Sequence, residues 1–162
     1  MQLRTLKEKD AELMLEWMHD ESVICNLKTD FAQKTIDDCK TFIRHSMSKS
    51  DWNYAIIAEN DEYMGTVSLK HIRDNSAEFA IAIRTVAMGK GISSEAMKKM
   101  IQLGFEKGIK TIYWCVSPQN QRAMKFYDKN GYQRNDMCKT LAKKYYDIDE
   151  INKYIWYAAE KQ

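Results

Sequence analysis

An apolar strand, a glycine-punctuated turn and an amphipathic helix follow one another without a break from Glu78 to Lys107, and a second apolar run comes directly after, at 111–116. A strand, a helix and a strand in immediate succession close as a right-handed crossover, which sets the two strands parallel in one sheet. The first strand ends in Phe79-Ala-Ile-Ala-Ile83, with no polar alternation, so it is expected to be buried on both faces with helices over both sides of the sheet. The helix is predicted over about 92–107. Its apolar stripe is Ile92, Ala96, Met97, Met100, Ile101, Gly104 and Phe105, and Gly108 is its stop.

The rest of the chain supplies the neighbours of that unit. Weak alternation over 2–6 predicts a first strand, and Asp10 is placed to cap a helix carrying Leu13, Met14, Trp17 and Met18 on one stripe. Thr35, with Asp38 three residues on, reads as a capping box for a helix through Cys39, Phe42, Ile43 and Met47. Residues 52–58 and 63–72 read as a hairpin turning at 60–62, with 76–83 as the third strand of the meander. A short helix over 120–129, a strand over 132–137 and a terminal strand over 153–159 complete the reading. The expected fold is therefore α/β, a mixed and mostly antiparallel central sheet covered by helices on both faces, with one parallel strand-helix-strand crossover. A chain of 162 residues with no linker-like stretch is read as a single domain over 1–162. Tyr154, Trp156 and Tyr157 in the last strand suggest an aromatic edge, open for a homodimer or covered within the monomer.

Composition excludes several functions. A net charge of +2, with lysines scattered along the chain, gives no nucleic-acid footprint, and no apolar run approaches the roughly 18 residues that span a bilayer. Met1-Gln2-Leu3-Arg4 leads into strand patterning and not into a leader peptide, so a cytoplasmic location is expected. Cys25, Cys39, Cys115 and Cys138 form no C-x-x-C pair, and His19, His45 and His71 have no ligand spacing, so reduced thiols and no metal are expected. Cys115 lies in an apolar run and is read as a small core residue in preference to a nucleophile.

Gly89 and Gly91 flank Lys90 where the strand becomes the helix. Unpaired backbone N–H groups and the positive end of the helix dipole converge there, and Ser93 and Ser94 add hydroxyls, which suits a phosphate. The turn is not G-x-x-x-x-G-K-[ST], because Gly91 follows Lys90, nor G-x-G-x-x-G, because Ser94 stands in the last place. On its own it is equally a plain strand-to-helix turn.

A second cluster gives the turn its context. Val116, Asn120, Ala123, Phe126, Tyr127, Gly131 and Tyr132 meet the pattern V-x-x-x-N-x-x-A-x-x-[FL]-Y-x-x-x-G-[FY], at the right distance after the glycines. Together the two clusters resemble the GNAT superfamily of acetyl-CoA-dependent N-acetyltransferases, whose Q/R-x-x-G-x-G/A signature falls on Val86-Ala-Met-Gly89-Lys-Gly91, with Val86 in the usual Gln or Arg place. The resemblance covers about residues 3–157. It implies acetyl-CoA as cosubstrate, held against Val86, Met88, Gly89, Lys90, Gly91, Ile92 and Ser93. It also implies an oxyanion site at the backbone of Ala82 and Ile83, with Asn120 bridging the opened strand and the coenzyme beside small Ala123. Asn120 is alternatively a helix N-cap, and Arg84 a nearby charge or a solvated strand end.

In the same resemblance an amine attacks the thioester directly. Tyr127 is the candidate acid for the departing thiolate, against the alternative of a core aromatic. Glu78 is the candidate base, against the alternatives of an exposed strand-edge carboxylate and a water chain. The acceptor is read as a small-molecule amine such as an amino sugar or polyamine, with a protein N terminus as the alternative. Trp17, Asp20, Glu21, Asp30, Phe31, Tyr145, Tyr146 and Asp147 are available for its groove, or form a solvated face. A non-catalytic acyl-CoA-binding sensor is the competing class of function.

Overall fold

The computed structural model describes residues 1–162. One seven-stranded sheet organises them. Its strands are β1 (Gln2–Thr5), β2 (Trp52–Ile57), β3 (Tyr63–Arg73), β4 (Ser76–Ile83), β5 (Thr111–Val116), β6 (Gln133–Arg134) and β7 (Ile155–Glu160). They lie in the order β1-β2-β3-β4-β5-β7-β6. Every pairing is antiparallel except β4 with β5, the crossover expected from the sequence. The connecting helix is α4 (Ile92–Glu106), and Gly108, at φ 98°, ends its last turn.

Helices cover both faces, as expected. On one face α4 and α5 (Gln121–Lys129) close a core of Val67, Leu69, Phe79, Met97, Met100, Ile112 and Trp114. On the other face, α1 (Ala11–Met18), the short α2 (Glu21–Ile24) and α3 (Ile36–Arg44) bury Met14, Trp17, Cys39 and Ile43 against Ala55, Ile57 and Tyr63. Further along that face the single-turn helices α6 (Lys139–Ala142) and α7 (Ile148–Ile151) cover Tyr113 and Trp156. The Thr35 capping box is present: Thr35 Oγ1 accepts from the Asp38 N–H at 3.2 Å, and the Asp38 carboxylate accepts from the Thr35 N–H at 2.8 Å.

Four expectations are corrected. Asp10 does not cap α1: it already has helical backbone angles, and its carboxylate is taken by Arg4 at 2.8 Å and by the Lys7 N–H at 2.8 Å. The strand expected over 132–137 shrinks to Gln133–Arg134, because Asn135 turns the chain by accepting from the Met137 N–H. The last strand is not an edge. β7 lies between β5 and β6, and Trp156 and Tyr157 are buried, so of the two readings of these aromatics the structure has the one in which they are covered within the monomer. Finally, Ala80 to Ile83 are only half-buried although the run is apolar, because β4 pairs with β5 only at Ser76, Ala77 and Glu78. Beyond Glu78 the two strands part. β4 stays on β3 as far as Ile83, and β5 stays on β7 as far as Val116, so a fork opens between them.

Candidate active site

The fork is the inner end of a cleft of about 760 Å³ that runs from the glycine turn past Trp114 and Tyr127 to Glu78. Sequence alternation sets what faces it. The Arg84 N–H is donated to Met64 of β3, whereas the Asn75 carbonyl accepts from β5 residues. Backbone groups alternate sides along a strand, so those of Ala82 point to β3 and those of Ile81 and Ile83 point into the fork. Of the two oxyanion donors expected from the sequence, Ile83 faces the fork and Ala82 is committed to the ladder. Ile81, which the sequence did not single out, presents its N–H to the fork beside Ile83.

At the outer end, the expected turn has the shape an anion requires. Gly89 and Gly91 adopt φ of 75° and 76°, and beyond each glycine and its two chain neighbours no protein atom lies within 4 Å of where a Cβ would stand. The backbone N–H groups from Gly89 to Ser94 take no partner in the chain; the first helical bond is Glu95 N–H to the Gly91 carbonyl. A Cβ at either glycine would fill the space over those donors. This cradle, open and at the head of a 15-residue helix, fits a pyrophosphate. Met88, Ile92 and Ser93 line the cleft with it, whereas Val86 is an exposed side chain at 51%. Lys90 is exposed beside the turn.

Arg84 is neither a phosphate ligand nor a solvated strand end. Its guanidinium is buried, donating to Glu16 Oε1 at 3.0 Å, to Glu62 Oε1 at 2.8 Å and to the Tyr63 carbonyl at 2.9 Å, so it ties α1 and β3 to the end of β4.

Along the middle of the cleft, Asn120 caps α5 by accepting from the Ala123 N–H at 3.2 Å, the second of the two roles read for it. Its cap sets the helix so that Ala123, Phe126 and Tyr127 all line the cleft. Tyr127 packs edge-on to Trp114, with ring centroids 5.5 Å apart, and to Phe126 at the same separation. No hydrogen bond within the chain engages its hydroxyl, and burial holds the phenol above its ordinary pKa, so it is protonated at neutral pH. Trp114 lines the cleft, and its indole N–H is buried without a partner in the chain.

At the fork itself stands Glu78, 2% exposed and thus not an edge carboxylate. It is surrounded by cations and a phenol. Lys28 Nζ donates to Oε1 at 2.8 Å, Tyr146 Oη donates to Oε2 at 2.8 Å, His71 Nδ1 lies 3.2 Å from Oε2, and Lys70 Nζ lies at 3.8 Å. One extra residue in β3 between Lys70 and Arg73 breaks the register there, and His71, at φ 53°, sits on that irregularity. Burial alone would raise the Glu78 carboxyl; the His71 hydrogen bond and the charges of Lys70 and Lys28 outweigh it and hold the pKa at about 2. A carboxylate so firmly ionised is well suited to hold a cation and poorly matched to abstracting a proton at neutral pH.

Cys115 packs against the core around Tyr113 and Trp156, as expected, but at its margin. It is half-buried and lines the cleft on β5, and burial pushes its thiol up to about 11, so it stays protonated. Of the residues suggested for an acceptor groove, Tyr146 reaches Glu78. Trp17 and Phe31 line the cleft, Trp17 held by its indole N–H to Tyr63 at 2.8 Å and Phe31 edge-on to Trp17 at 4.9 Å, whereas Tyr145 stacks on His71 at 3.9 Å and Asp20 caps α2. Lys28 is the site residue that sequence reasoning missed altogether.

Known proteins share this fold. A family model described as "Acetyltransferase (GNAT) domain" matches residues 1–133. An uncharacterized N-acetyltransferase, p20 of Bacillus licheniformis, is 26% identical over 149 residues, 87% of this chain and 83% of that one. Acetyltransferase PseH of Campylobacter jejuni is 22% identical over 129 residues, 78% of this chain and 79% of its own. Among solved structures, spermidine N-acetyltransferase from Vibrio cholerae, in complex with CoA and spermine, superposes with a TM-score of 0.75 at 20% identity, covering 83% of this chain and 81% of that one. The PaiA N-acetyltransferase from Thermoplasma acidophilum, in complex with coenzyme A, gives 0.73 at 18% identity over 99% and 98%. With most of its length matched by the family model, the chain belongs to the GNAT family of acetyl-CoA-dependent acetyltransferases.

Proposed function

We propose that the whole chain works as one N-acetyltransferase domain that moves the acetyl group of acetyl-CoA onto a small-molecule primary amine, such as a polyamine or an amino sugar, by direct attack. The observation that carries this reading is the continuity of one cleft from the glycine cradle through Tyr127 to Glu78, with the fork of β4 and β5 along its wall. β7, which lies beyond the span matched by the family model, sits inside the sheet next to β5, in support of a single unit.

In this reading Gly89, Lys90, Gly91, Ile92 and Ser93 hold the pyrophosphate through their N–H groups, with Val86 and Met88 flanking it. Asn120 and Ala123 border the pantetheine arm. The Ile83 and Ile81 N–H groups face the place where negative charge builds on the acetyl oxygen, the arrangement that lowers such a barrier most. Tyr127 gives its proton to the departing sulfur. Glu78 holds the acceptor as its ammonium form before reaction. One proton leaves to water in the cleft to free the attacking lone pair, because a group titrating near 2 is too weak a base to keep it; the second, lost from nitrogen as the N–C bond forms and the C–S bond breaks, restores the Tyr127 hydroxyl. A relative's structure contains spermine, which agrees with an acceptor site centred on a carboxylate.

Coenzyme release in the presence of primary amines, followed by thiol titration, tests this. The expected result is amine-dependent release from the wild type. Tight acetyl-CoA binding with no release for any amine would favour a coenzyme-sensing module instead.

A further inference from the structure

The side chain that fills the acceptor end of the cleft belongs to the protein. Lys28 lies between α2 and α3, on a segment outside any helix or strand, and its own backbone N–H takes no partner. From there it reaches Glu78, 50 residues away in sequence, at the point where β4 and β5 part. Its ammonium sits 3.9 Å above the Tyr146 ring, with the Trp156 and Tyr154 rings at 5.6 and 5.9 Å. A carboxylate and three aromatic faces around one cation make a cage for a primary ammonium. The same Lys28 and Glu78 line the cleft together with the coenzyme-side residues Gly89 and Tyr127.

Two features separate this contact from an ordinary structural ion pair. Glu78 keeps partners without Lys28, because Lys70 brings a cation to 3.8 Å and His71 a ring nitrogen to 3.2 Å, both from β3. Tyr146, from the turn between α6 and α7, donates to the carboxylate and shapes the cage without adding charge. Lys28 can therefore leave without stranding a bare carboxylate, and the loop that carries it has no ladder to break.

We infer that the cage of Glu78, Tyr146, Tyr154 and Trp156 is the subsite for the acceptor's primary ammonium, and that Lys28 occupies it as a tethered stand-in which the acceptor displaces. The inference deepens the acetyltransferase reading and rests on it. It also narrows the substrate class. A lysine side chain is n-butylammonium on a tether, so the occupant that fits is a primary ammonium on an unbranched alkyl stem, as in a polyamine. An amine borne directly on a sugar ring is branched at the carbon next to nitrogen and does not follow the path of the Lys28 stem.

If Lys28 holds the subsite nine-tenths of the time or more, only the remaining fraction is open to an acceptor, and apparent affinity is reduced about tenfold or more. Calorimetric titration of n-butylammonium into the wild type and into Lys28→Met reads this directly. The expected outcome is at least about tenfold tighter binding to Lys28→Met, with cyclohexylammonium binding more weakly than n-butylammonium to both. Equal or weaker binding to a folded Lys28→Met, or no preference for the unbranched amine, overturns the inference. A second readout on the wild type does not depend on that variant folding. In ¹⁵N-lysine-labelled protein the Lys28 side-chain signal, assigned by its loss in Lys28→Arg, should shift as n-butylammonium is added, and a signal indifferent to the amine overturns displacement. Acetyl-CoA titration and coenzyme release on the same samples separate the two claims. If both are intact while the amine results fail, only the subsite falls; if both are absent, the acetyltransferase reading itself falls.

Discussion

The ε-ammonium of Lys28 lies 2.8 Å from the buried carboxylate of Glu78, at the last residue pair before β4 and β5 separate. Burial would lower the Lys28 pKa, but the Glu78 charge outweighs it and the pKa ends above its ordinary value, while Glu78 is held at about 2. Both groups are thus ionised across the physiological range, and on the proposed reading the contact is a lock on the acceptor subsite that an incoming amine displaces.

That lock has a signature in acid. The folded pKa of Glu78, about 2, lies below its ordinary 4.5, so the stabilisation is complete above pH 4.5 and is lost as the pH falls through about 2. Its size is about 3 kcal/mol. Urea unfolding of the wild type and Glu78→Gln between pH 7 and pH 2 should show a gap of this order at pH 7 that closes at the acid end. A gap independent of pH would mean that packing, not charge, holds Glu78.

Tyr127 lines the cleft with its hydroxyl protonated and unbonded inside the chain, which leaves it free for the proposed acid role. Tyr127→Phe should lower kcat by about 10² to 10⁴ and leave the calorimetric affinity for acetyl-CoA near wild type. Near-normal turnover would remove Tyr127 as the acid.

The left-handed backbone at Gly89 leaves its donors uncovered. Gly89→Val should abolish measurable acetyl-CoA binding while the far-UV spectrum is kept, because the new side chain stands in open space over the cradle and strains only the turn. Unchanged affinity would refute the cradle.

Arg84 gives the opposite pattern. It bonds Glu16 and Glu62, both partly exposed, so screening reduces what each pair contributes, and Arg84→Met should cost about 2 kcal/mol in total. Acetyl-CoA affinity should not change. A selective loss of coenzyme binding with unaltered stability would restore Arg84 as a phosphate ligand.

Features carried by neighbouring residues were legible in the sequence. The Thr35 and Asp38 capping box and the Gly89 to Gly91 turn depend on backbone donors a few residues away, and both are present where the pattern places them. Asp10 had the same local credentials as a cap, but Arg4 from β1 claims its carboxylate. Strand order is equally non-local: nothing in 153–159 marks it as the neighbour of β5, and that insertion buries the aromatics that resemble an edge. Lys28 left no signal of its own, being one lysine among many in a polar loop. The available clue was Glu78, a carboxylate inside an otherwise apolar strand, which requires buried cationic partners from somewhere in the chain.

The central claim is that this cleft joins an acetyl group from acetyl-CoA to a primary amine. Mass spectrometry of the purified chain incubated with acetyl-CoA and a panel of linear polyamines, amino sugars and N-terminal peptides tests it most directly. The account predicts a product carrying one added acetyl group on a primary amine, strongest among the linear alkyl amines and lost with Tyr127→Phe. Saturable acetyl-CoA binding with no acetylated product from any amine in the panel would contradict it.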